Sequence, residues 1–248
     1  MKRVFILFIL FISTMLIYAN GYKTPHSDIV DIVTAPDTPV ISWSVRAERY
    51  AEVHYKSIPD LSDLMVDVVK LAGVRINGNN FSEYKTLFYT HFDFFHHDGR
   101  KINIKGMPQN LKIIDYDWSW TGRYFGFTVA MPDSVDLYIV DFEKENCKKV
   151  TTNISNVFTK GFYFLPDDND EIIVMYNTNS HKPVPQKSSD FVVPIIDETG
   201  ESASQVRTYQ DLLQDKFDEI LFKYYFTSVI TRLNIHNGRK TFVTKPGI

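Results

Sequence analysis

Asp117-Trp118-Ser119-Trp120-Thr121-Gly122-Arg123-Tyr124-Phe125-Gly126-Phe127-Thr128 is the stretch that decides the fold of this chain. An aromatic strand end leads into a turn that holds Gly122, and an alternating strand follows, which is the pattern of a β-hairpin. The same pattern returns in weaker form from Ser42 to Val53, without the turn glycine, and from Phe162 to Val174, where acidic residues stand in for it. A second hairpin alternates with the first. It runs from Leu87 to Ile104 with its turn at His97-Asp98-Gly99-Arg100, from Asp136 to Thr151 with its turn at Glu143 to Asn146, and from Ile230 to Val243 with its turn at His236-Asn237-Gly238-Arg239.

Two hairpins make four short strands in roughly 40 to 50 residues, the repeat length of a β-propeller blade. The expected fold is all-β: residues 22–248 form a partial β-propeller of about three to four blades, an incomplete ring with short helical inserts. Leu137, Ile139 and Phe142 interleave with Tyr138, Val140 and Asp141, as in a strand buried on both faces until its turn. A sandwich of unrelated hairpins is the competing architecture. Two stretches interrupt the repeat. In residues 58–80, Leu61, Leu64, Met65, Val68 and Leu71 recur at helical spacing behind Pro59, which predicts a helical insert. Residues 180–207 carry Pro183, Pro185, Pro194, Gly200 and several serines, and predict an exposed, irregular insert. A helix over 208–226 follows, capped by Thr208 with Asp211 three residues on, with Leu212, Leu213, Phe217, Ile220, Leu221, Tyr224 and Tyr225 as its apolar stripe.

Composition narrows the function. The chain of 248 residues is 44% hydrophobic and 15% aromatic with a net charge of -3. No basic field exists to neutralise a phosphate backbone, so nucleic acid is not an expected partner. Residues 1–21 read as an export signal: Lys2-Arg3, an apolar run from Val4 to Ile17, and a small-residue site at Ala19-Asn20-Gly21. The apolar run is short for the roughly 20 residues of a spanning helix, so no stable membrane insertion is expected after cleavage, with a retained membrane anchor as the alternative. The expected location is periplasmic or extracellular. Cys147 is the single cysteine, which rules out an internal disulfide.

Three strings carry a family resemblance. Ile29-Val30-Asp31-Ile32-Val33-Thr34-Ala35-Pro36-Asp37-Thr38-Pro39, Lys70-Leu71-Ala72-Gly73-Val74-Arg75-Ile76-Asn77 and Arg207-Thr208-Tyr209-Gln210-Asp211-Leu212-Leu213 resemble, in order, the propeller region of glutamyl endopeptidases, a branch of the prolyl oligopeptidase family of serine peptidases. The resemblance spans roughly Asp28 to the end. It implies a propeller that limits access of peptide substrates to a C-terminal α/β-hydrolase domain carrying a Ser-Asp-His triad. No serine here has the Gly-x-Ser-x-Gly setting of that domain's nucleophile, so the chain is expected to be catalytically inactive alone, with no catalytic residue and no cofactor. A stand-alone propeller-type binding or scaffold module is the alternative.

Few residues invite a chemical role. Arg75 and Arg207 lie in the family-like strings, and a guanidinium binds a carboxylate bidentately, so either can recognise an acidic substrate side chain or form a structural ion pair. His91, Asp93 and His97 share a strand face by alternation, but without a convincing fourth ligand no metal site is assigned. Asp167, Asp168 and Asp170 lack the glycine and distal glutamate of a calcium loop and read as a solvated hairpin tip.

Overall fold

The computed structural model describes residues 23–166, 170–187 and 211–248. The chain divides into two compact units, residues 1–36 and 37–248. In the first, the helix Ser27–Thr34 buries none of its residues. The second holds the fifteen strands found among the described residues. In chain order they are β1 (Val40–Trp43), β2 (Arg49–Tyr55), β3 (Val68–Leu71), β4 (Val74–Asn77), β5 (Ser82–Glu83), β6 (Tyr89–His96), β7 (Lys101–Ile102), β8 (Ile113–Trp118), β9 (Tyr124–Ala130), β10 (Val135–Asp141), β11 (Asn146–Thr151), β12 (Phe162–Phe164), β13 (Glu171–Asn177), β14 (Ser228–Asn234) and β15 (Lys240–Phe242).

Their pairing produces three four-stranded antiparallel meanders of blade type: β1-β2-β6-β7, β8-β9-β10-β11 and β12-β13-β14-β15. A single pairing, Tyr89 opposite Ile113, links the first blade to the second. Each blade is one of the sequence units, with its two hairpins joined edge to edge.

The blades bury their faces against one another. Ala51, Val53, Phe92, Phe94 and Ile102 of the first blade meet Trp118, Phe125, Phe127, Val140 and Phe142 of the second. Phe94 stands edge-on to Phe125 with centroids 5.2 Å apart, and Trp118 stacks on Phe142 at 5.3 Å. Each such aromatic pair adds about 0.5–1.5 kcal/mol beyond its buried area. The opposite face of the second blade, with Tyr124, Val135, Leu137 and Ile139, packs on Phe162, Ile172, Val174 and Leu233 of the third. The second blade is therefore sandwiched, and six of the seven residues of β10 are buried, as its two-sided apolar pattern requires.

The turns show why the repeat tolerates variation. In the second blade, Gly122 adopts φ +73° and donates to the Ser119 carbonyl at 2.9 Å, while Ser119 Oγ accepts from the Tyr124 amide at 2.9 Å. In the first blade, Ser44 repeats the serine's role for the Arg49 amide, and Ala47 stands in the glycine's place at φ +55°. Asp170 takes the positive φ, +57°, in the third.

The first insert differs from the sequence expectation. Residues 58–80 are helical only over Leu61–Leu64, and β3, β4 and β5 then form a separate three-stranded sheet. Leu61, Leu64 and Met65 are exposed rather than one buried stripe. Ala72 and Gly73 adopt φ +53° and +78°, the geometry of a two-residue hairpin turn, and β-branched Val68 and Val69 favour the strand that enters it. The second helix also begins later than expected. It runs Lys216–Phe226 and is capped by Asp215, whose carboxylate accepts from the Phe217 and Asp218 amides at 2.8 and 3.0 Å. Leu212 and Leu213 precede it and are half exposed, and Thr208 lies outside the described residues, as does most of 180–207. No helix among the described residues is long and apolar enough to cross a membrane, and residues 1–21, where an export signal is expected, lie outside them.

Candidate functional site

The first insert packs on the helix Lys216–Phe226. Leu71 and Ile76 of that insert, with Phe81 just after it, pack with Tyr224, Tyr225 and Phe226 of the helix from the third blade, and with Val157 from the connection between the second and third blades. Asn177 Nδ2 donates to the Tyr225 carbonyl at 2.7 Å, and Asn179 Nδ2 to that of Tyr224 at 3.1 Å, tying the helix end to the third blade. Phe81 touches both tyrosine rings at 5.2 to 5.3 Å. The result is a platform on which the β3–β4 hairpin is fixed rather than free.

Arg75 sits on that hairpin, exposed, directly opposite Lys70 in the pairing register. No carboxylate of the described residues pairs with either cation. Arg207 lies outside the described residues, so its relation to Arg75 is not part of this geometry.

Beside the platform are two adjoining cavities of about 540 and 550 Å³. They share Asp63, Phe88 and the segment from Pro108 to Lys112. Asp63 is buried and forms an ion pair with Lys112 Nζ, whose ammonium also lies 5.8 Å from the Phe88 ring centroid. Tyr84 Oη donates to the Asp63 carbonyl at 3.2 Å. The insert is thereby pinned to the crossover between the first two blades. Sequence reading missed this pair because Asp63 and Lys112 lie in different elements and carry no motif.

A second constellation lies on the face of the first blade turned away from the second. Strand alternation puts His91 and Asp93 together, as expected, but His97 falls past the strand end and its amide instead donates to the Glu48 carbonyl at 3.0 Å. The register brings His54 opposite His91. Their rings stack with centroids 4.0 Å apart and planes 8° from parallel. His54 Nε2 lies 3.6 Å from Asp93 Oδ2, and Lys101 Nζ holds the other carboxylate oxygen at 2.8 Å. Desolvation and the adjacent His54 lower the His91 pKa from its ordinary value. Of the three acidic residues weighed for calcium, Asp167 and Asp168 lie outside the described residues. Asp170 accepts from Tyr124 Oη at 2.5 Å and sits 3.1 Å from His236 Nε2, a hydrogen-bonded link between the second and third blades.

No family model matches the chain. Among curated proteins, it is 32% identical over 224 residues to a probable chloroplastic glutamyl endopeptidase of Oryza sativa subsp. japonica, covering 84% of this chain and 24% of that protein. It is 30% identical over 226 residues to the protein of the same description from Arabidopsis thaliana, covering 84% and 23%. The chain is related to the glutamyl endopeptidases. It spans about a quarter of the length of these relatives, and the glutamyl endopeptidase match agrees with the resemblance carried by the three family-like strings. Among solved structures, the acylaminoacyl peptidase of Pyrococcus horikoshii aligns over 86% of this chain and 25% of its own, with 11% identity and a TM-score of 0.38. A putative dipeptidyl aminopeptidase IV from Bacteroides ovatus aligns over 56% and 21%, with 13% identity and a TM-score of 0.35. TolB from Acinetobacter baumannii aligns over 84% and 44%, with 15% identity and a TM-score of 0.29.

Proposed function

We propose that this chain is the non-catalytic propeller portion of an exported serine peptidase, and that it restricts the access of peptides to an α/β-hydrolase domain. One observation carries the reading: three consecutive blades occur in a sequence related over 84% of its length to about a quarter of the length of two probable glutamyl endopeptidases. A propeller contributes no nucleophile to acyl transfer. Its work is steric and electrostatic, since it presents a rigid surface that admits extended peptides and excludes folded ones.

In this reading the insert platform faces substrate, and Arg75 is its recognition group. An exposed guanidinium beside Lys70, with no carboxylate partner among the described residues, suits an acidic side chain. Arg207, from the third family-like string, is proposed as the second cation. Replacing Arg75 by Gln in the complete peptidase reduces cleavage after Glu more than cleavage after neutral residues; equal losses on both remove Arg75 from recognition.

The coding sequence beyond Ile248 tests the reading as a whole. A continuous frame that encodes Gly-x-Ser-x-Gly supports it. A stop codon with no adjacent hydrolase frame contradicts it and favours the stand-alone binding module. Export is tested separately by sequencing the N-terminus of the extracytoplasmic product, which is expected to begin close to Asn20 or Tyr22.

A further inference from the structure

We propose that His54, His91 and Asp93 form a zinc site on the outward face of the first blade, tying β2 to β6. Three observations point to it. First, the donor set is right: two imidazoles and one carboxylate lie with their candidate ligand atoms all within 4.8 Å of one another. Nitrogen donors favour zinc-type transition metals over magnesium or calcium, which take oxygen ligands. Three protein ligands leave a fourth tetrahedral position for water.

Second, His54 Nε2 is buried and has no hydrogen-bond partner. Leaving a buried polar atom without a partner is destabilising, and a metal on its lone pair removes that cost. Third, the neighbours orient the ligands. Lys101 Nζ binds Asp93 Oδ1 and leaves Oδ2 turned toward His54. Thr90 Oγ1 lies 3.1 Å from His91 Nδ1, so a proton on Nδ1 leaves Nε2 free to ligate.

The charge balance favours a cation. Glu52 lies directly opposite Asp93 in register, and against these two carboxylates stands one ammonium, that of Lys101. Zinc–ligand bonds of about 2.0–2.2 Å require the three donors to close by roughly an ångström. His91 is exposed and Asp93 and His54 only partly buried, so rotation of the side chains alone accomplishes it. None of its residues belongs to the insert platform, so the site does not rest on the recognition role proposed for Arg75.

Titrating zinc into the chelator-stripped chain near neutral pH tests the site. Equimolar binding in the micromolar range or tighter is expected, and cobalt(II) should give the intense visible bands of tetrahedral coordination. His54→Gln or His91→Gln should abolish both signals, whereas His97→Gln should leave them unchanged. In case a variant fails to fold, long-range proton–nitrogen spectra of the unmodified chain give a second readout. Zinc should shift the ring nitrogens of His54 and His91 and not those of His97. Absence of micromolar binding, binding that survives both substitutions, an octahedral cobalt spectrum, or shifts confined to other histidines overturns the proposal.

Discussion

Gly126 lies directly beneath the ring of Phe162: a Cβ built on Gly126 would stand 2.6 Å from Phe162 Cε2 and 3.0 Å from Ile139 Cδ1. Phe162 is fully buried between the second and third blades and has nowhere to withdraw. The glycine is thus what lets the two blades approach.

Gly126→Ala is therefore expected to destabilise the chain by about 1–3 kcal/mol, the usual cost of overpacking a dense core. Denaturant unfolding measures it. Shortening the ring with Phe162→Leu in the same chain should return part of the loss, because the two positions share one contact. Additive losses would place the strain elsewhere.

Ala47 holds the left-handed turn position that Gly122 fills in the next blade. Ala47→Gly is expected to raise stability by about 0.5–1 kcal/mol, since a residue with a Cβ pays roughly 1–2 kcal/mol in that conformation and glycine returns part of the gain through unfolded-state entropy. Gly122→Ala should lose at least as much. It meets both the backbone strain and the Ser44 Cβ, which would lie 3.2 Å away. Thermal melts of the two variants, shifting in opposite directions, check this.

Asp170 links blades two and three. Burial alone would raise its pKa, but the hydrogen bonds from Tyr124 and His236 outweigh that and hold it below the ordinary 3.8. A carboxylate depressed in the folded state contributes stability above its unfolded pKa and loses it as pH falls through the folded value. Asp170→Asn is accordingly expected to cost about 1 kcal/mol near neutral pH, allowing for solvent screening of a partly exposed group. The cost should vanish once the pH is well below the ordinary 3.8. A deficit that is the same at both ends of the pH range would show that the carboxylate's charge is not what matters.

The hairpins were legible in the sequence because blade strands are short, alternate strictly and close on recognisable turns. Ser42 to Val53, Asp117 to Thr128 and Phe162 to Val174 become the first hairpins of three blades. The first insert was not legible. Leu61, Leu64, Met65, Val68 and Leu71 satisfy a helical period, and periodicity over so short a window cannot reveal that Ala72-Gly73 turns the chain back on itself. The histidine pair was half legible. Alternation along β6 groups His91 with Asp93, but His54 joins them only through cross-strand register, which a single strand's pattern does not contain. Asp63 and Lys112 meet for the same reason, through tertiary packing of an insert on a crossover.

As proposed, the chain shapes access to a catalytic domain and performs no acyl transfer itself. Labelling of the purified chain with a fluorophosphonate, which reacts with activated serines, tests it most directly. No specific labelling is expected. Stoichiometric labelling of a serine, lost when that serine alone is replaced, would contradict it.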